Sequence, residues 1–189
     1  MKSIVKAIKS LQLLPEAELL VLDSLVKPRK LAKNDFFIRE GNVCKEMVFI
    51  DSGILRSFYH TAEGTEVTSC IRFEQELMSA FSSFITQSPS EENIQALVDT
   101  ELWVLTYDEL QCLYSRSVEW QQLGRILTEM QYVDSEKRIA SFLKQTAQER
   151  YESLIREHAM YVKYIPQHYL ASYLGITPRH LSRLRKAVI

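Results

Sequence analysis

Apolar residues recur every three or four positions at both ends of this chain and fall into short blocks or alternate between them. Near the start, Ile4, Val5, Ile8, Leu11 and Leu14 share one side of a first helix, and Pro15 opens a second that carries Leu19, Leu20, Leu22 and Leu25. Pro28 ends it. Residues 29–107 read as strands. Phe36-Phe37-Ile38 leads into a turn at Arg39-Glu40-Gly41-Asn42, and Met47-Val48-Phe49-Ile50 ends at Asp51-Ser52-Gly53. Ile54 to Tyr59 turns at Ala62-Glu63-Gly64 into Glu66 to Phe73, and Ile94 to Val98 and Leu102 to Tyr107 close the set. Short strands with glycine corners and no β-α alternation predict a small barrel or roll rather than a doubly wound sheet.

From Asp108, expected to cap the next helix, the period changes to that of a helix. Leu123, Ile126, Leu127, Met130 and Val133 form a stripe on a segment that starts at Val118. Gly124 lies inside it, where glycine costs about 1 kcal/mol relative to alanine. Two readings fit that cost: a close approach of the chain's own barrel, or of a second copy in a dimer helix. Asp134 is expected to break the segment. Further helices are expected around Ile139, Ala140, Phe142, Leu143 and Ala147, and over Tyr151 to His158; residues 159–164, with alternating tyrosines, are expected to be a short strand.

The clearest pattern runs from Ile165 to Lys186. Pro166 suits a first helical turn, and Tyr169, Leu170, Tyr173 and Leu174 recur at helical spacing around the small Ala171. Gly175 can take a positive φ and turn the chain, Ile176 plugs the corner, and Thr177-Pro178 starts another helix. Leu181 and Leu184 give that helix one apolar side, with Arg179, His180, Arg183 and Lys186 off it. This is the anatomy of a helix-turn-helix whose second helix enters a DNA major groove. In that arrangement Arg179 and Arg183 are placed to read guanine, Arg185 and Lys186 to supply backbone charge, and Gln167 and Thr177 to hydrogen-bond phosphates.

Charge strengthens this reading. The net charge of −1 conceals a basic back half: residues 134–189 hold 10 Lys and Arg against 5 Asp and Glu, and residues 1–133 hold 13 against 19. No acidic residue follows Glu157, while Lys163, Arg179, Arg183, Arg185, Lys186 and three histidines do. A one-sign segment with patterned leucines suits a polyanion. No apolar run approaches the roughly 20 residues needed to cross a membrane, and no signal-peptide core is expected in the charged N-terminal stretch, so a cytoplasmic protein is expected. Cys44, Cys70 and Cys112 are widely spaced and odd in number, which predicts free thiols. Only His60 lies before His158, too few histidines for a cupin-type metal site, and no glycine-rich phosphate loop or catalytic triad spacing occurs; no enzyme is expected.

The order of helices, β-roll, long helix and helix-turn-helix resembles the Crp/Fnr family of bacterial transcription regulators. The most specific pieces are Phe37-Ile38-Arg39-Glu40-Gly41, the run from Val48 to Arg56, Lys137-Arg138-Ile139-Ala140, and Ile165–Lys186. The resemblance implies an α+β protein: a jelly-roll-like effector domain over 1–117, a dimerisation helix over 118–133, and a winged-helix-like DNA-binding domain over 134–189. It implies a homodimer paired through Leu123, Gly124, Ile126, Leu127 and Met130, acting on a palindromic duplex operator, with RNA polymerase as a further partner. In better-known members an acidic residue stands at the position of Arg179, so the operator preference is expected to differ.

The sequence departs from the family where members bind cyclic nucleotides. There a Gly-Glu pair holds the ribose and an arginine holds the phosphate, because a buried phosphate needs a cation or several N–H donors. Here no Arg or Lys occurs between Arg72 and Arg116, and Glu74, Glu76, Glu91 and Glu92 lie in that stretch instead. cAMP and cGMP are therefore not expected, nor is any resident cofactor. No cysteine precedes Cys44 for an iron–sulfur cluster, and His60 alone offers a haem ligand. Phe73, Leu77, Met78, Phe81, Phe84 and Ile85, with Leu123, either line a site for a neutral small effector or are simply core. The alternative function is a scaffold whose roll binds an effector or a protein without specific DNA binding.

Overall fold

The computed structural model describes residues 1–188. The chain divides into two compact units, Met1–Phe58 with Ile71–Thr128, and Tyr59–Cys70 with Glu129–Ile189. Two helices open the first unit, α1 (Ser3–Ser10) and α2 (Glu16–Leu25). Among the described residues eight strands follow: β1 (Lys27–Leu31), β2 (Phe36–Ile38), β3 (Glu46–Ser52), β4 (Leu55–His60), β5 (Glu66–Arg72), β6 (Leu77–Met78), β7 (Asn93–Ala96) and β8 (Thr100–Thr106). A short helix, α3 (Phe81–Thr86), interrupts them. The strands form two sheets, ordered β1-β8-β3-β6 and β2-β7-β4-β5. Apart from the β4–β5 hairpin, neighbours in these orders are not consecutive in sequence, as the expected roll requires.

Alternation builds the core between the sheets. Leu55, Ile94 and Ala96 point inward with Val48, Ile50, Leu102 and Val104, and Phe84 of α3 is fully buried among them. Ile4, Val5 and Ile8 of α1 and Leu19 and Leu22 of α2 close the same core. On the opposite face of β4, Arg56 lies 4.0 Å over the Phe58 ring and Nη2 reaches Gln95 on β7 at 3.4 Å.

The helices after β8 differ from expectation in three places. First, α4 (Tyr107–Arg116) is capped by Thr106 rather than Asp108: Thr106 Oγ1 accepts from Glu109 N at 3.2 Å, and Thr106 N donates to Glu109 at 2.8 Å. The helix starts one residue after Thr106, which leaves Asp108 inside its first turn. Second, Asp134 does not break the next helix; α5 runs from Val118 to Lys144. Asp134 is exposed there and pairs with Lys137 at 3.9 Å. An aspartate caps only where the backbone leaves helical geometry, and the chain leaves it later, at Thr146. That residue forms a capping box with Glu149 and starts α6 (Ala147–Glu157). Third, residues 159–164 are a helix, α7 (Ala159–Tyr164), rather than a strand. Tyr161 and Ile165 are both buried and lie four residues apart, so the apolar pattern there is helical. Among the described residues no strand follows Thr106, so the C-terminal helices carry no strand wing. The remaining helices are α8 (Gln167–Leu174) and α9 (Pro178–Val188).

Candidate nucleic-acid interface

The helix-turn-helix forms because its apolar residues have one place to go. Leu170, Ala171 and Leu174 of α8 and Leu181 and Leu184 of α9 are all nearly excluded from water where these two helices pack on each other and on α6, whose Tyr151 and Leu154 are buried too. Gly175 adopts φ 69° and ψ 34°, the left-handed region that glycine enters without penalty. The turn then returns two amides to the end of α8: Ile176 N donates to Ala171 O, and Gly175 N donates to Ser172 O, both at 3.0 Å. This pairing is the Schellman arrangement.

The last two carbonyls of α8 would be left over. Two arginines from other helices take them. Arg138 of α5 donates to Tyr173 O at 2.9 Å, and Arg150 of α6 donates to Leu174 O through Nε at 3.2 Å and Nη2 at 3.1 Å. Both guanidinium groups flank the Phe142 ring, at 5.0 and 4.8 Å from its centre, and that ring lies against Gly175. Cations at a helix C-terminus also complement its dipole.

At the start of α9, Thr177 Oγ1 accepts from His180 N at 3.2 Å, the expected cap. Arg179, Arg183 and Lys186 are exposed and spaced four and three residues apart, so they form one stripe opposite Leu181 and Leu184. His180 and Arg185 sit on the flanks, half-buried, and Arg185 Nε is enclosed without a hydrogen-bond partner. Gln167 donates its amide to Pro178 O at 3.1 Å, which ties the first turns of α8 and α9 together. A cationic stripe on an exposed helix, backed by a packed apolar side, can lie in a major groove.

The other expected site residues are dispersed. In the roll, Met78 and Leu123 belong to the core, Leu77 packs against it, Phe73 is half-buried, and Phe81 and Ile85 face outward at 40% and 46% exposure. Phe84 is core, edge-on to Tyr107 at 5.5 Å. Glu92 is the distinctive polar group in this unit. It accepts from the buried Ser57 hydroxyl, and burial pushes its carboxyl up against the opposing effect of that bond. Beside it, Asn93 is buried, with Oδ1 accepting from Glu40 N at 3.1 Å and Nδ2 unpartnered. On α5, Leu123 is buried within its own unit and a Cβ at Gly124 would overlap the Tyr114 ring, so the close approach there comes from the same chain. Ile126 and Leu127 are half-buried, and Met130 and Val133 are exposed at 55% and 45%. Among the described residues no three or more His, Cys, Asp or Glu side chains converge as a metal site, and no helix is long and apolar enough to cross a membrane.

Sequence reasoning missed the positioning groups Arg138, Phe142, Arg150 and Ser172. Lys137-Arg138-Ile139-Ala140 stood out as a motif, but its spacing does not show that the arginine ends another helix.

Residues 28–117 match the cyclic nucleotide-binding domain family. No curated protein matches the sequence. Among solved structures, FixK2 from Bradyrhizobium japonicum is similar with a TM-score of 0.77 at 14% identity, over 87% of this chain and 84% of that one. The c-di-GMP-responsive global regulator CLP of Xanthomonas campestris gives 0.71 at 13% identity, over 92% and 91%. A Crp/Fnr-family regulator from Eubacterium rectale, itself described as putative, gives 0.70 at 19%, over 92% and 83%. Residues 28–117 are thus similar to the cyclic nucleotide-binding domain family, and the chain shares its fold with these solved regulators, one of them of the Crp/Fnr family.

Proposed function

We propose that this protein is a sequence-specific transcription regulator that binds a palindromic duplex operator as a homodimer and does not depend on cAMP. The observation that carries this reading is the exposed stripe of Arg179, Arg183 and Lys186 on a capped α9. Pairing through α5, with Met130 already outward and Ile126 and Leu127 partly so, places two such helices about 34 Å apart, one turn of DNA. Arg179 and Arg183 read base edges; Arg185, Lys186 and Thr177 hold the backbone, with His180 at the flank. Gln167 supports this by fixing α8 against α9. RNA polymerase is the further partner such a regulator meets.

Independence from cAMP rests on charge. Between Arg72 and Arg116 the roll offers no Arg or Lys to meet a phosphate, and Glu92 lies in that stretch with its carboxyl on the Ser57 hydroxyl. The effector, where one acts, is neutral or cationic. The CLP protein answers to a cyclic dinucleotide; the acidic Glu92 argues against that anion here.

The test is selection of bound sequences from random duplex DNA by the purified chain, with and without cAMP. The expected result is one palindrome enriched equally in both arms, with affinity falling steeply as salt rises. Enrichment only with cAMP would overturn the charge argument. Weak, salt-insensitive binding would overturn the regulator reading and leave a protein-interaction scaffold.

A further inference from the structure

Within the second unit, the hairpin formed by the ends of β4 and β5 is bonded to the helix-turn-helix. The hairpin is well closed: Thr61 N donates to Thr65 O and Gly64 N to Thr61 O, both at 2.9 Å. β5 is the edge strand of its sheet. On such an edge, alternate residues present outward C=O and N–H groups that no strand satisfies. Ser172, on α8, takes one of each. Its Oγ accepts from Thr68 N at 2.9 Å and donates to Glu66 O at 3.1 Å. One hydroxyl thereby stands in for a neighbouring strand at residues 66 and 68.

Arg138 completes the junction. It donates to Tyr173 O at 2.9 Å, approaches Thr68 O at 3.5 Å, and stacks 3.8 Å over the Tyr173 ring. Arg138 lies on α5, the helix assigned above to pairing. So α5, the edge of β5 and the end of α8 meet at two adjacent residues of α8, Ser172 and Tyr173. Neither contact covers α9, whose cationic stripe remains exposed. The junction therefore does not block recognition.

We propose that Ser172 and Arg138 form a lock that fixes the orientation of the helix-turn-helix against α5, and so sets the spacing between operator half-sites that the protein accepts. The inference rests on the dimeric DNA-binding reading. In a two-fold dimer, α9 sets which bases are read, whereas the angle between α8–α9 and α5 sets how far apart the two readings occur. A residue that acts only on that angle changes spacing and leaves the half-site alone. Ser172 and Arg138 are positioning residues in this sense.

The experiment compares full-length wild type, Ser172→Ala and Ser172→Thr in selections from random DNA. Bound operators are then measured with their spacer lengthened or shortened by one base pair. Each variant is read at a temperature where circular dichroism shows it fully folded. Amide exchange at Thr68 reports whether the edge bond is lost. Wild type is expected to hold one spacer. Ser172→Ala is expected to keep the half-site sequence, exchange faster at Thr68, and lose roughly five- to tenfold of its spacer discrimination, the weight of about one net hydrogen bond. Ser172→Thr, which keeps the hydroxyl, is expected to restore it. Faster exchange at Thr68 with unchanged spacer discrimination would overturn the lock and leave Ser172 a purely structural group. An altered half-site preference would overturn it also. Absence of any palindrome with wild type would instead strike the DNA-binding reading, and the lock with it.

Discussion

Gly175→Ala probes the geometry of the helix-turn-helix corner. Two terms set its cost. A side chain at φ 69° costs about 1 kcal/mol relative to glycine. The new Cβ would also stand 2.7 Å from Phe142 Cε1, so the ring must move. That ring is 42% exposed and has room to leave, but leaving separates it from the guanidinium groups of Arg138 and Arg150. Each such stack is worth about 0.5–1 kcal/mol at a partly exposed site. The expected total is about 2–3 kcal/mol, read as the shift in urea unfolding of the helical unit followed by circular dichroism. A double-mutant cycle separates the two terms. In a Phe142→Ala background the ring is gone, and Gly175→Ala should cost only the backbone term, about 1 kcal/mol. An equal cost in both backgrounds would refute the claim that Phe142 seats the turn. A cost under about 0.5 kcal/mol in the wild-type background would refute the backbone argument as well.

Glu92, Thr146 and Arg179 each carry a further prediction. Burial raises the Glu92 carboxyl, so the folded protein holds that proton more tightly than the unfolded chain. The contribution is neutral at acid pH, where both states are protonated, and becomes a penalty as pH climbs from the ordinary carboxylate range through the raised folded value. Glu92→Gln, which can still accept from Ser57, should therefore raise the melting temperature more at about pH 7 than at about pH 4, and an equal gain at both would sink the assignment. Thr146→Ala removes the capping box that starts α6 and should cost about 1 kcal/mol in urea unfolding; no shift would mean the α5–α6 corner is held by other contacts. Arg179→Ala should weaken binding by about 1–3 kcal/mol and relax preference at one base pair per half-site; a uniform loss over all sequences would make it a phosphate contact instead.

Much of the architecture was legible because it rests on local pattern. The roll followed from short apolar blocks between glycine corners, and the helix-turn-helix from Leu170, Leu174, Gly175, Leu181 and Leu184 at helical spacing. The misreadings share a cause: a residue type with two uses. Asp134 can cap a helix or ride exposed in the middle of one, and only backbone geometry decides. Residues 159–164 alternate by eye, yet Tyr161 and Ile165 are both buried at helical spacing, four residues apart. Thr106 falls inside the strand expected to run to Tyr107, whereas it ends β8 and caps α4. Gly124 illustrates a different limit. Its cost signalled a close approach, but Tyr114 is ten residues away, and no periodicity reveals which aromatic ring fills the space. The α8 end was invisible for the same reason. Arg138 and Arg150 lie 35 and 24 residues from the carbonyls they take, and sequence shows charge without showing its destination.

The hydroxyl of Ser172 has a consequence for truncation and self-association. An exposed strand edge is a template for adding strands from other molecules, and proteins guard such edges with charge, proline, bulges or cover. Here Glu66 and Thr68 are bonded by a side chain from a helix more than a hundred residues later in the chain. A fragment that keeps the roll and drops the C-terminal helices uncovers that edge. Such a fragment would carry a sticky strand that the whole chain keeps sheathed, and would drift toward strand-exchanged pairs or aggregates.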